Sequence, residues 1–295
     1  MQQQQHRAFS FRRVAAIASI TLTELTRLRV FYVLLIFALV LIGSSMFMAR
    51  MTFQQEFQVL KDISLGAMSL FTSILAIVGT ARLLPQDVDD RAVYTILAKP
   101  VPRFEYIAGK LGGVLSLLAI SMLVMTALFC AVLFARQQAV LAATAHQMTG
   151  LPPQELSDAL ANVRASTFNS SLLPAILLVY IKAAIVASLT LFISTFATST
   201  IFTIVVAVFV YFIGHLQATA RAFWLSEHGG GWASRTFLAV VALLFPDLQL
   251  FDGVDHLVAG TAIPMALFVK TAALGCFYVV IYLLLATAVF SGKEL

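Results

Sequence analysis

Residues 82–110, RLLPQDVDDRAVYTILAKPVPRFEYIAGK, form the most densely charged run of the chain and separate two long apolar segments. Pro85 suits the first turn of a helix because its φ is fixed. The helix dipole favours carboxylates in that turn, and the acids that follow are Asp87, Asp89 and Asp90. Pro100 and Pro102 cannot continue a helix. The stretch therefore predicts a short amphipathic helix that ends near Lys99 and lies at a membrane surface between two spans.

The composition on either side of this stretch is that of a multi-pass membrane protein. The chain is 60% hydrophobic and 11% charged, with a mean hydropathy of +0.94, whereas soluble domains carry about 25% charged residues. About 20 apolar residues in a helix cross the hydrocarbon core. The sequence therefore predicts an all-α fold, a single domain over residues 1–295, and six spans: 30–49, 63–81, 111–135, 172–195, 200–214 and 263–290.

The fourth and fifth spans are predicted to form a tight hairpin. No charged residue occurs between Ala183 and Ala220, and one helix of that length would be about 57 Å long, well beyond a ~30 Å hydrocarbon core. The hydroxyl-rich stretch 194–200 is the natural turn. The later apolar run 236–245 is too short to cross, which predicts interfacial or re-entrant helices there.

The N-terminal region 1–29 is basic, with five arginines and one acid, Glu24. Its apolar residues recur at helical spacing, which predicts an amphipathic elbow helix whose arginines lie on lipid phosphates. At the start of the third span, Gly109 and Gly113 form a small-xxx-small pair that predicts close packing against another helix.

The distribution of lysine and arginine predicts the orientation of the chain. Eleven positive residues lie in 1–29, in 82–110 and at Lys293, against six spread over the other, longer loops. The positive-inside rule therefore places the elbow helix, the 82–110 loop and both termini in the cytoplasm. Residues 136–171 and 215–262 are then extracytoplasmic.

The 82–110 stretch resembles the cytoplasmic loop of ABC-2 type permeases, the membrane subunits of ABC transporters, and looks closest to the branch linked to multicopper-enzyme maturation. The likeness is carried by the acidic cluster with Arg91, then 97–100 (LAKP), Pro102-Arg103, and Gly109-Lys110 opening a span. In layout it extends over nearly the whole chain. It implies an export permease in the inner membrane of a bacterium, working as a homodimer or paired permease with a separate ABC ATPase subunit.

In that family the loop carries a coupling helix that docks on the ATPase. The resemblance thus implies a docking surface at Asp87, Val88, Asp89, Asp90, Arg91, Tyr94 and Leu97. Two other interpretations stay open: a helix that only closes a loop, or a non-transporting assembly factor or tether whose loop binds another soluble protein. A channel or secondary carrier is a third.

Two absences in the sequence bear on the chemistry. Gly109-Lys110 and Gly292-Lys293 lack the rest of the phosphate-binding motif GxxxxGK[ST], so we expect no cofactor and no enzymatic activity here, with ATP bound by the partner subunit. No Asp or Glu lies in a predicted span, which disfavours an ion-coupled carrier. The positive net charge is explained by topology and lipid contact, and no nucleic-acid partner is expected.

Two lysines lie within predicted spans, where a charged residue is a functional hypothesis by default. Lys182 is deep in the fourth span and is a candidate residue of the substrate pathway or its gate, whereas Lys270 is close enough to an end to snorkel outward. The 215–262 region also gathers three histidines and three aspartates. These residues are His215, His228, His256, Asp247, Asp252 and Asp255. Their spacing matches no metal-ligand motif, and no metal site is predicted.

Overall fold

In the computed structural model, every regular element in the described residues, 10–49, 56–89, 102–147, 153–169, 171–225, 236, 245–252 and 264–292, is a helix. These are α1 Phe11–Thr26, α2 Arg29–Ala49, α3 Glu56–Ala81, α4 Leu83–Asp89, α5 Arg103–Gln147, α6 Pro153–Thr167, α7 Leu172–Phe196, α8 Thr200–Leu225, a 3-10 helix Leu248–Phe251, and α9 Met265–Gly292. Six of them, α2, α3, α5, α7, α8 and α9, are long and apolar enough to cross a membrane. The predicted all-α fold with six such helices is confirmed.

Several helices run beyond their predicted spans. α5 has 45 residues, about 67 Å at 1.5 Å per residue, so it is more than twice as long as a ~30 Å hydrocarbon core. It continues to Gln147, through residues assigned to a loop, while α3 begins at Glu56 and α8 ends at Leu225. Hydropathy detects only the part of a helix that lipid can cover, so it does not show how far a polar helical end continues.

α3 and α7 form the centre of the bundle. They pack on each other, with α2 along α3 and α9 along α7. The outer helices carry large exposed apolar side chains, among them Val33, Ile36, Phe209 and Phe277. An exposed apolar surface of this kind marks a membrane-facing or partner-facing side of a protein.

α1 packs closely along the first turns of α5. A Cβ atom built on Gly109 would lie 2.6 Å from Ile17 Cβ, and one on Gly113 would lie 2.6 Å from Thr21 Cβ. The predicted close approach at the two glycines is therefore present. Thr21 and Leu25 are fully buried, so the apolar stripe of α1 is a packing surface for protein.

A kink at Arg82 separates α4 from α3. Pro85 has no N–H to donate to the carbonyl of Ala81, and Ser194 Oγ of α7 contacts that carbonyl at 3.5 Å, the long end of a hydrogen bond. α4 begins two residues before Pro85 and its described part ends at Asp89. The predicted continuation to Lys99 lies outside the described residues.

The segment 245–252 lies against the membrane-length helices α7, α8 and α9. Asp247 caps its 3-10 helix, accepting a hydrogen bond from the Gln249 N–H at 3.2 Å. A Cβ on Gly275 would lie 2.9 Å from Phe251 Cε1, and one on Gly214 2.9 Å from Leu248 Cγ. Gly275 is ten residues, about 15 Å, into α9. The segment therefore packs against the interior of that helix, well past its first residue.

Candidate functional site

Among the buried charged side chains of the described residues, two clusters contain more than one ion-pair contact each. The first, here the loop-anchor cluster, joins the two ends of 82–110 to neighbouring helices: Asp87, Tyr106, Lys110 and Glu24. The second, here the Lys182 cluster, lies between α3, α7, α8 and the 245–252 segment: Ser69, Lys182, Tyr211, His215 and Asp252.

In the loop-anchor cluster, one lysine binds acids from two different helices. Lys110 Nζ of α5 lies 2.6 Å from Asp87 Oδ2 of α4 and 3.7 Å from Glu24 Oε2 of α1. The hydroxyl of Tyr106 donates to the same Asp87 oxygen. Lys110 and Asp87 are only 5% and 8% exposed. Removing water from two charges is costly unless they are paired and hydrogen-bonded, so this contact fixes α4 against α5 and α1.

A second ion pair holds α1 on the start of α5. The fully buried carboxylate of Glu105 accepts hydrogen bonds from Arg13 Nη2 at 2.7 Å and from the Ser10 N–H at 2.9 Å. The hydrogen bond to Glu105 raises the pKa of the Arg13 guanidinium. Arg13 was expected on lipid phosphates; it binds a carboxylate of its own chain instead.

A third contact ties the same end of the loop to the end of the last helix. Arg103 Nη1 donates to the carbonyl of Phe290 at 3.0 Å, and also to that of Ser291. The last carbonyls of a helix lack intrahelical partners and favour a cation. Residues 102–110 are thus fastened to α9 as well as to α1.

The predicted docking residues fall into three groups. The carboxylate of Asp87 is turned inward, where it binds Lys110 and Tyr106. Val88 and Asp89 belong to α4. The others lie outside the described residues: Asp90, Arg91, Tyr94 and Leu97. The sequence did hold a signal for the internal contact, since Tyr106 and Lys110 are four apart and share one face of a helix.

In the Lys182 cluster, a buried ammonium group is surrounded by acceptors. Lys182 Nζ lies 2.7 and 2.9 Å from the two carboxylate oxygens of Asp252, 3.0 Å from Ser69 Oγ and 3.0 Å from His215 Nε2. Lys182 as a whole is 1% exposed. An ammonium has three donors; Asp252 and Ser69 accept from it, and His215 Nε2 lies at hydrogen-bond distance. The charge of Lys182 is therefore fully compensated inside the bundle.

A cavity of about 400 Å³ opens beside this ion pair. That is within the roughly 300–1,000 Å³ of small-molecule sites. The polar groups on its wall are Ser69, Lys182, Tyr211, His215, Gln249 and Asp252. The side chains of Asp252 and His215 are about a quarter exposed, so the cavity gives access to the acid and imidazole in front of the lysine.

Opposing effects act on the carboxyl group of Asp252, which lies outside the membrane-length helices. Burial acts to raise its pKa, but the hydrogen bond with His215 and the charge of Lys182 outweigh burial and hold it below the ordinary value. A carboxyl whose pKa is lower in the folded state stabilises the fold above its unfolded pKa, and that contribution is lost as pH falls through the folded value.

The sequence singled out Lys182 but not its partner. Asp252 and His215 were assigned to the 215–262 loop with no role predicted, and no acid lies within a predicted span. A buried cation in a membrane protein requires a counter-charge, and that requirement is the signal that could have led to Asp252. Lys270 is exposed.

Metal ligation has no further support in the described part of the chain. Those residues contain no group of three or more histidine, cysteine or acidic side chains placed to hold an ion. His228, His256 and Asp255 lie outside them.

Six apolar helices of membrane-spanning length define the class of this chain as a multi-pass membrane protein. No protein-family model matches the chain, and no curated protein matches it significantly.

Proposed function

We propose that this chain is the membrane-spanning permease subunit of an ABC transporter, an exporter driven by a separate ATPase subunit. The observation that carries the proposal is the loop-anchor cluster, in which the buried Lys110–Asp87 ion pair joins the two ends of the 82–110 loop to each other; next to it, the Arg13–Glu105 pair holds α1 on α5. A loop that only closed a connection would not need them. The resemblance of this loop to the coupling loop of ABC-2 type permeases supports the same function.

Through the contacts of the loop-anchor cluster, a displacement of the 82–110 loop would be transmitted to the helices of the bundle. A partner pressing on the loop would move α4, and Asp87 would carry the movement to Lys110 on α5. α4 also continues α3 through Arg82, and Ser69 lies 13 residues back along α3, about 20 Å. Ser69 contacts Lys182 in the cavity wall. α4 and α3, which follow each other directly in the chain, thus connect the loop to the polar cavity.

In this proposal the loop, α1 and both termini are cytoplasmic, in the inner membrane of a bacterium. We expect a reporter fused after Leu295 to be active in the cytoplasm and one at Gly150 to be active outside, because lysine and arginine are concentrated on the loop side. Paired alkaline phosphatase and fluorescent-protein fusions measure both. A cytoplasmic signal at Gly150 would contradict the orientation.

The docking surface is tested at the charged pair Asp90 and Arg91. Asp90→Ala with Arg91→Ala should weaken association with a cognate ABC ATPase subunit by about 2–5 kcal/mol, the range for a charge truncated at a desolvated contact. Folding should be unaffected, because the anchors at Asp87 and Lys110 are intact. Pull-down of the ATPase from detergent extracts measures the association.

A matched control is Asp158→Ala with Arg164→Ala, two exposed charges on α6 at the other side of the bundle. That variant should bind the ATPase as the parent does. If the loop variant also retains full binding and full ATP hydrolysis in the complex, the loop is a connector. Recovery of a soluble protein other than an ATPase would favour an assembly factor or tether.

A further inference from the structure

We infer that the cavity beside Lys182 binds an anionic oxygen group, a carboxylate or a phosphate, which replaces Asp252 as the counter-ion of Lys182. This rests on the proposed function, because it names the chemical class that the transporter would carry. The binding site itself needs no ATPase subunit and can be tested on this chain alone.

Lys182 needs an anion beside it in every state of the protein in which its ammonium is charged. Lys182 is ten residues, about 15 Å, from the start of α7, and it is 1% exposed. A buried charge left without a partner costs several kcal/mol. In the described residues, Asp252 is the acid that forms an ion pair with it. Any movement that withdraws Asp252 while Lys182 keeps its charge must therefore bring another anion to the ammonium group.

Asp252 is held by a different kind of element from the other residues of the Lys182 cluster. Ser69, Tyr211 and His215 belong to the long helices α3 and α8, whereas Asp252 follows the 3-10 helix of the 245–252 segment. That segment is seated through Phe251 on Gly275 and through Leu248 on Gly214. A shift of the segment would remove the carboxylate while the hydroxyls and the imidazole stay beside Lys182.

The charges at the cavity wall balance when one anion faces Lys182. One ammonium and one carboxylate make the ion pair neutral, and exchange of Asp252 for a ligand carboxylate keeps it neutral. A cationic ligand would add charge next to Lys182, which is disfavoured at low dielectric. The donors at Ser69, Tyr211 and Gln249 face the same cavity and can bind the remaining oxygens of an anion. Leu70 and Gly66 leave room for a small apolar body.

Anion binding and seating of the 245–252 segment then compete for one ammonium. Binding free energies are reciprocal, so an anion loosens the segment as much as the segment weakens the anion. The cavity is thereby both a substrate site and the trigger that releases the segment.

The test uses the purified full chain in mild detergent and isothermal titration calorimetry. The probes are hexanoate, inorganic phosphate and, as a cation with the same tail, hexylammonium. Asp252→Asn removes the resident counter-ion and should tighten binding of an anionic probe by about ten-fold or more. Lys182→Met should abolish it. Binding of hexanoate alone identifies an organic carboxylate, and binding of phosphate alone a free inorganic anion.

Two matched controls separate the site from general effects. Asp247→Asn removes the other acid of the same segment while its amide oxygen can still cap the 3-10 helix, and Lys61→Met removes another buried lysine, on α3; both should leave anion binding unchanged. Where Lys182→Met fails to fold, the neutral pair Lys182→Met with Asp252→Asn replaces it and should bind no anion.

The inference is overturned if Asp252→Asn leaves anion affinity unchanged or weaker, if the neutral pair still binds the anion, or if hexylammonium binds as well as hexanoate. Failure of the proposed function is a separate result. An anion that binds in a Lys182-dependent manner to a chain that recruits no ATPase would uphold the site and reject the transporter subunit.

Discussion

Lys110→Met should lower the free energy of unfolding by about 3–5 kcal/mol, the range for removing one partner of a buried ion pair. Asp87 would keep its hydrogen bond from Tyr106 but lose the charge 2.6 Å away, in a site that is nearly closed to water. Glu24 is the other acid beside Lys110, so the variant leaves two negative groups without their cation. Loss of monodisperse protein on heating in detergent measures the effect.

The double variant Lys110→Met with Asp87→Asn provides the sharp comparison. It removes both charges and keeps the shapes, so most of the lost stability should return, because replacing a whole buried pair is often neutral. Lys270→Met is the matched control: it makes the same substitution at an exposed lysine and should change stability by less than about 0.5 kcal/mol. Equal stability of Lys110→Met and the parent would show that this anchor does not hold the loop.

Gly109→Ala with Gly113→Ala should detach α1 from α5. The added Cβ atoms would lie 2.6 Å from Ile17 Cβ and 2.6 Å from Thr21 Cβ, and the nearest backbone oxygens of α1 would be 3.1 and 2.8 Å away. A Cβ atom cannot rotate away as the end of a long side chain can. Overpacking of this kind costs about 1–3 kcal/mol at each site, more than the ~1 kcal/mol that alanine gains over glycine in a helix.

Gly112→Ala is the control for that prediction, because it lies in the same turn of α5. Its Cβ would lie 3.5 Å from Ala18 Cβ, an ordinary contact, so helix propensity dominates and the variant should be as stable as the parent or more so. Limited trypsin digestion at Arg27 reports release of α1. Protection of Arg27 in the double variant equal to that in the parent would contradict the packing.

Local features of the sequence were enough to predict the six membrane-length helices, but not where their polar ends stop. A membrane span needs about 20 apolar residues whatever its neighbours are, and a polar turn such as 194–200 divides a run too long for one crossing. Two glycines four residues apart leave a groove on one face of a helix, so Gly109 and Gly113 indicated a close contact before its partner was known.

The tertiary structure alone decided which charges meet. Asp252 lies 70 residues from Lys182 in the chain, and Asp87 binds Lys110 across the loop that separates their helices. A sequence shows that a buried cation needs an anion, but any acid in a flexible connection could supply it. Which acid pairs with Lys182 depends on how far each segment reaches into the bundle. Gly275 leaves the space that Phe251 of the 245–252 segment occupies.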